Sequence, residues 1–231
     1  MQSTNSVRVW DVPVRVFHWL LVLSFAGAFV TAESERWRLV HVTLGYTVAG
    51  LIAFRLIWGL VGTRYARFSS FVRGPAAVLA YLRALLRGNP EHHLGHNPAG
   101  GWAIVALLLG CALLTASGWA TYNEWGGDWL EELHEGLGNG LLALVGVHVV
   151  GVIVSSRLHH ENLVRAMFTG RKRAESTQDS VRGWGVLALV LVAAVAGFWW
   201  SQWASAPVNA AQKAPVLIAP DKTRMIPQSP R

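Results

Sequence analysis

ELHEGLGNGLLALVGVH, residues Glu132–His148, decides the fold. The stretch is apolar enough to open a membrane helix, yet it holds a histidine near each end, His134 and His148. At about 1.5 Å and 100° per residue, fourteen residues separate two side chains by about 21 Å and leave them about 40° apart around the axis. Both imidazoles therefore share one helix face at two depths.

Outward from this segment, further stretches are long enough to cross a bilayer, which takes about 20 mostly apolar residues as a helix. The pattern predicts spans at 14–32, 39–61, 101–121, 131–155 and 184–203. Composition agrees: 14% of residues are charged, against about 25% in soluble domains, and the mean hydropathy is +0.34. The expected class is an all-α membrane protein: a four-helix transmembrane bundle followed by a fifth, C-terminal transmembrane helix.

The net charge of +7 does not indicate nucleic acid, because the charge is sorted by loop. Arg64, Arg67, Arg73, Arg83 and Arg87 lie between spans two and three. Arg157, Arg165, Arg171, Lys172, Arg173 and Arg182 lie between four and five. The connection between three and four holds Glu124, Asp128, Glu131 and Glu132 and no Lys or Arg. Basic loops stay in the cytoplasm. This predicts a multi-pass membrane protein with a cytoplasmic N-terminus and an extracytoplasmic C-terminus. Span one, ending in Val30-Thr31-Ala32, is expected to be retained, because a long segment precedes it and further spans follow. Cys111 is the lone cysteine, which rules out an internal disulfide, a cysteine-ligated iron–sulfur cluster and C-x-x-C-H haem attachment.

The chain divides into a four-helix domain at 1–173, a basic cytoplasmic linker at 174–183, the fifth span at 184–203 and a proline-rich extracytoplasmic tail at 204–231. Within the long inner loop, AAVLAYLRALL (Ala76–Leu86) has the apolar spacing of a short helix lying on the membrane surface.

Of nine histidines, His92, His93, His96, His159 and His160 fall in loops or at a helix end and read as solvated polar residues, with no pattern that supports a metal site. His18, His41, His134 and His148 fall in or beside spans, where an ionisable side chain is costly and marks function. The topology sorts them by depth: His18 and His148 toward the inner face, His41 and His134 toward the outer. Opposed neutral imidazoles across a bundle suit haem iron, one axial ligand from each side. The expected pairs are His18 with His148 for an inner haem and His41 with His134 for an outer one. Glycines on spans two, three and four, Gly118 and Gly138 among them, give room for a flat ring or for close helix packing. Arg55, fourteen positions after His41, reaches the inner level and can pair a haem propionate or snorkel to headgroups. Arg15, one turn before His18, is a weaker candidate. At the outer face, Arg36 and Arg38 can meet propionates or lipid phosphate.

VWDVPVRVFHWLLV (Val9–Val22), FRLIWGLVGTRYARFSSFV (Phe54–Val72), the two histidines of span four and HHENLVRAMFTGRKR (His159–Arg173) together resemble the bacterial cytochrome b561 and nickel–iron hydrogenase b-type subunit superfamily. The resemblance implies a four-helix membrane bundle with two non-covalent b-type haems, passing electrons between the quinone pool and a partner. It implies haem ligation by His18, His41, His134 and His148, in the same cross-pairing as the depths give. The fifth span and the proline-rich tail depart from the simple four-helix pattern.

The expected function is transmembrane electron transfer through two bis-histidine haems b, between quinone and a redox partner such as an extracytoplasmic c-type cytochrome or redox enzyme subunit. Whether the chain forms a homodimer stays open, as does quinol oxidoreductase activity of its own. Two alternatives remain: a metal or proton transporter using the intramembrane histidines, and a membrane anchor for a redox enzyme. Ser24, Thr43 and Asn139 are candidate polar neighbours of the ligands.

Overall fold

In the computed structural model, residues 5–88, 91–174 and 177–205 are described. The proline-rich tail expected over 204–231 lies, beyond Ser205, outside them. Among the described residues, five helices are long and apolar enough to cross a membrane: α1 (Val12–Thr31), α2 (Arg38–Val61), α5 (Pro98–Tyr122), α6 (Asp128–Leu158) and α8 (Gly185–Ala204). Shorter helices connect them: α3 (Phe68–Phe71), α4 (Pro75–Leu86) and α7 (Leu163–Thr169).

Helix starts follow from local chemistry. Asp11 precedes α1, with a proline in the first turn, and its Oδ1 accepts from Val14 N at 2.8 Å. Asn97 caps α5 in the same way, accepting from Gly100 N at 2.7 Å ahead of a first-turn proline. Such caps satisfy amides that have no partner within the helix. Asp11 does more: Oδ2 accepts from Trp58 Nε1 at 3.0 Å and Thr63 Oγ1 at 2.6 Å. The start of α1 is thereby fastened to the end of α2.

The core of the bundle joins Phe17 of α1, Val48, Leu51 and Ile52 of α2, Leu108 and Cys111 of α5 and Leu141 of α6. Close helix pairs are α1 with α2, α5 with α6, α2 with α5 and α1 with α8. Helix α6 runs closest along α5 and meets α1 and α2 through side chains, Leu141 in the shared core and His134 opposite His41. At 31 residues, α6 is about 46 Å long and exceeds the roughly 30 Å hydrocarbon thickness.

One element departs from the all-α expectation. Residues Asn5–Arg8 (β1) pair antiparallel with Arg171–Ala174 (β2), in the register Asn5↔Ala174 to Arg8↔Arg171. NSVR and RKRA are too short and too polar to show an alternating apolar pattern. The two-stranded ribbon buries Val7, Lys172 and Ala174. Residues 180–183, read as linker, are joined to the N-terminal segment: Val181 N donates to Arg8 O at 2.9 Å, and Val12 N to Gly183 O at 2.9 Å. Helix α8 then docks on the bundle. Trp199 Nε1 donates to Thr47 Oγ1 on α2 at 2.8 Å, while Trp200 and Trp203 stay exposed, as interfacial anchors do.

Candidate cofactor site

The outer histidines come together. His41, in the first turns of α2, and His134, in the second turn of α6, have ring centroids 6.1 Å apart and planes at 87°. His41 Nδ1 donates to Ala28 O of α1 at 2.8 Å. His134 Nδ1 lies 3.1 Å from Leu114 O and 3.0 Å from Ser117 Oγ of α5. A carbonyl only accepts, so both Nδ1 atoms carry the proton and both Nε2 atoms keep a free lone pair. Metal-bound histidines show this pattern, with the second ring nitrogen donating to a carbonyl that fixes tautomer and orientation. Two bonds of about 2 Å from metal to imidazole nitrogen, plus the half-widths of the two rings, match the centroid separation. A bis-histidine haem fits this site.

Small residues make the geometry possible. A Cβ on Gly118 of α5 would stand 2.7 Å from His134 Cε1, so only glycine admits the imidazole in this position. The Ser117–Gly118 pair supplies both an acceptor and the clearance. Of the polar neighbours expected from sequence, Ser24 is buried without a bonded partner among the described residues, and the Thr43 carbonyl accepts from Thr47. Asn139 is exposed. Ser117 was legible only as a serine within a span; nothing in the sequence tied it to His134.

At the inner level, His18 of α1 and His148 of α6 lie close enough to interact electrostatically. His18 Nδ1 is enclosed without a partner among the described residues, as is Arg55 Nη1. Arg55 is 3% exposed, so its side chain does not reach headgroups. It lies 4.8 Å over the Phe68 ring. Arg15 turns elsewhere: Nε donates to Met167 O at 3.3 Å, and Nη2 donates to Phe168 O. Its guanidinium thus meets the carbonyl end of α7. Arg36 lies over Trp37, and Arg38 pairs with exposed Glu35 at 4.0 Å.

The loop histidines are organised, where sequence suggested solvated residues. Lys172 Nζ donates to Glu161 Oε2 at 2.8 Å and to His93 O at 3.3 Å, and His92 Nε2 lies 3.2 Å from Glu161 Oε1. Burial pushes the Glu161 carboxyl up, but bonds and charge from Lys172 and His92 outweigh it and hold the group below its ordinary range. Burial holds His93 and His159 below the usual histidine range. No group of three or more metal-binding side chains occurs among the described residues.

The model of one family, described as prokaryotic cytochrome b561, matches residues 9–170. The chain belongs to the prokaryotic cytochrome b561 family. The match takes in all four candidate ligands of this cytochrome. Similar relatives include a "Probable Ni/Fe-hydrogenase B-type cytochrome subunit" of Azotobacter vinelandii, 26% identical over 54% of this chain and 62% of its own length. Another of that description, from Rhodobacter capsulatus, is 23% identical over 74% of this chain and 83% of its own. A "Probable Ni/Fe-hydrogenase 1 B-type cytochrome subunit" of Escherichia coli K12 is 27% identical over 53% and 64%. The cytochrome thus spans less than two thirds of the Azotobacter and Escherichia relatives. No solved structure matches it.

Proposed function

We propose that this cytochrome b561 family member carries electrons across a bacterial inner membrane through two non-covalent haems b, one held by His41 and His134 and the other by His18 and His148. The observation that carries this reading is the outer pair, two rings 6.1 Å apart with both Nδ1 atoms tied to helix carbonyls. With the candidate ligands of α6, His134 and His148, about 21 Å apart along the helix, haems held at these two levels would supply one-electron chemistry over most of the bilayer.

The chain's own residues set the conditions for transfer. His41 and His134 would hold one haem and His18 and His148 the other, and two imidazoles to each iron would disfavour binding of oxygen or substrate there. Ala28, Leu114 and Ser117 hold the outer imidazoles in one tautomer and orientation, so those ligands need little rearrangement on a change of charge. Arg55 places a buried positive charge at the inner level, where it favours the electron-rich state and offers a partner to a propionate. Arg15 acts at a distance by holding α7 beneath α1. The basic inner loops orient the N-terminus to the cytoplasm and the end of α8 to the periplasm.

The relatives' descriptions support electron exchange with a hydrogenase, and the acidic residues at the α5–α6 junction suit an extracytoplasmic redox partner, a hydrogenase or a c-type cytochrome; quinone is assigned to the other face. A transporter of protons or metal would not need the two outer imidazoles tied by carbonyls into a facing pair.

A redox-titrated visible spectrum of membranes containing the full chain tests the proposal. The expected result is a reduced b-haem spectrum, two haems per chain and reduction by quinol. Each of His41→Ala and His134→Ala should remove the outer haem and leave the inner, while His18→Ala and His148→Ala should do the reverse. A colourless protein from haem-replete cells overturns it.

A further inference from the structure

The inner level holds a buried cation with no bonded anion. Arg55 is 3% exposed and its Nη1 is enclosed without a partner among the described residues. The acidic group within its electrostatic reach is Asp11. Both Asp11 oxygens are committed, Oδ1 to Val14 N and Oδ2 to Trp58 and Thr63. Burying a guanidinium is costly unless charge and hydrogen bonds compensate it. Considerable structure nevertheless holds it there. Its neighbour one turn on, Gly59, has no Cβ to block the Phe68 ring, whose atoms would stand 2.1 to 2.6 Å from that carbon. Arg55 rests on that ring at 4.8 Å.

A second donor faces the same region from a different element. His96 lies in the loop just before α5, beside the cap Asn97. Its ring sits between Trp10 at 4.5 Å and Phe71 at 4.7 Å, centroid to centroid. Phe71 in turn contacts Phe68 at 5.8 Å, so one aromatic row links the seats of Arg55 and His96. His96 Nδ1 is also enclosed without a partner among the described residues. Burial first, then the charges of Arg55, Lys172 and His148, hold its imidazole down to about 3. It is therefore neutral at physiological pH, with one N–H to donate.

Buried polar atoms in native proteins almost always have partners. Two such atoms, on one cation and one neutral donor, both within electrostatic reach of each other, point to an anion with several acceptor oxygens. We propose that His96, together with Arg55, binds the carboxylate of a propionate of the inner haem, His96 through Nδ1–H and Arg55 through Nη1. This rests on the haem assignment to His18 and His148 and extends it to a loop residue outside every span. The loop before α5 thereby becomes part of the inner site. The two donors neutralise propionate charge and raise the inner haem's potential relative to a site without them.

The test uses the full chain in detergent or lipid, loaded with haem, with wild type compared with His96→Phe and His96→Gln. Readouts are the potential of each haem and the rate at which each haem is lost to an excess of apomyoglobin. His96→Phe keeps the aromatic stack and removes the donor. It is expected to lower the inner potential and speed inner-haem loss about tenfold, the effect of one hydrogen bond to a charged group. His96→Gln, which keeps a donor, should recover most of the difference. The outer haem's spectrum and potential should stay unchanged, which also reports that the variant has folded. Reconstitution with haem dimethyl ester supplies the decisive arm: with no carboxylate to bind, wild type and His96→Phe should behave alike at the inner site. An inner haem indifferent to His96→Phe overturns the proposal, and so does a difference that persists with the ester, since that effect comes from packing. Wild type that binds no haem at all refutes the function proposed above, a result distinct from either.

Discussion

His41 and Ala28 define how the outer site is built: an imidazole on α2 donates from Nδ1 to a carbonyl of α1 at 2.8 Å. The carbonyl lies in the last turn of α1, where the helix leaves acceptors without backbone partners, and it accepts from Thr31 Oγ1 as well, at 3.1 Å. His134 is fastened likewise by α5. Each candidate ligand is thus aimed by a helix other than its own, so changes on α1 or α5 should reach the proposed haem without touching it.

Gly118→Val is the sharpest case. A Cβ there meets His134 Cε1 at 2.7 Å, and the ring is held in place by Leu114 O and Ser117 Oγ. Haem analysis of the purified variant should show the outer haem lost and the inner one kept. Retention of both at wild-type affinity would mean that His134 has another seat.

Ser117→Ala is milder. The hydroxyl accepts from His134 and donates to Leu114 O at 2.9 Å, while the His134–Leu114 bond survives the change. Losing an outer-shell partner of a metal-bound histidine commonly costs about 10- to 100-fold in affinity. Because Leu114 still holds the ring, a cost near tenfold in outer-haem affinity is expected, read by competition with apomyoglobin. The inner haem should not respond.

Asp11→Ala tests the junction of α1 and α2. The carboxylate is 1% exposed and accepts three hydrogen bonds, one of them a helix cap. A lost cap costs about 1 kcal/mol, and each stranded buried donor about 1–3 kcal/mol, so a loss of at least about 3 kcal/mol is expected. Thermal unfolding of the haem-loaded protein in detergent measures it. A melting point within error of wild type would show that this junction does not hold the bundle.

The Glu161–Lys172 pair predicts a pH dependence. Glu161 lies below its unfolded value of 4.5, so its stabilising effect is complete above that pH and fades as pH falls through the folded value. His93 and His159 lie below 6.5. Each favours the folded state above 6.5 and costs stability as pH falls from there, so both act in the same direction as Glu161. Glu161→Gln at pH 7 strands Lys172, whose side chain is 4% exposed, at a cost on the order of 3 kcal/mol. That difference from wild type should shrink steadily below pH 4.5. A constant difference across the pH range would rule out the ion pair as its source.

Glu131 and Glu132 stand exposed in the opening turns of α6. Acidic residues there suit the helix dipole, and they also present charge at the proposed partner face. Reversing both to lysine should slow partner reduction at low salt and have little effect at high salt. Equal rates at all ionic strengths would assign them to helix capping alone.

The spans were legible because crossing a bilayer demands length and apolarity, both local properties. Every observed end lies within three residues of its expected place. The ligand candidates were legible because an ionisable residue in lipid is rare and helical periodicity fixes its face and depth. The strand pair was not, since Val7 and Lys172 meet across more than 160 positions with no local pattern to announce it. His96 read as a solvated loop residue, because its enclosure depends on Trp10 and Phe71 arriving from elsewhere.

By itself, then, the sequence determined five apolar helices, the sorting of charge between their loops and two heights of histidine, all consequences of composition and a 3.6-residue repeat. Tertiary structure alone decided that α6 runs alongside α5, that Ala28, Leu114 and Ser117 fix the outer tautomers, that Arg15 turns to α7, and that His96 is enclosed between Trp10 and Phe71. Those outcomes depend on contacts between residues far apart in the chain, and such contacts form only once helices choose their neighbours.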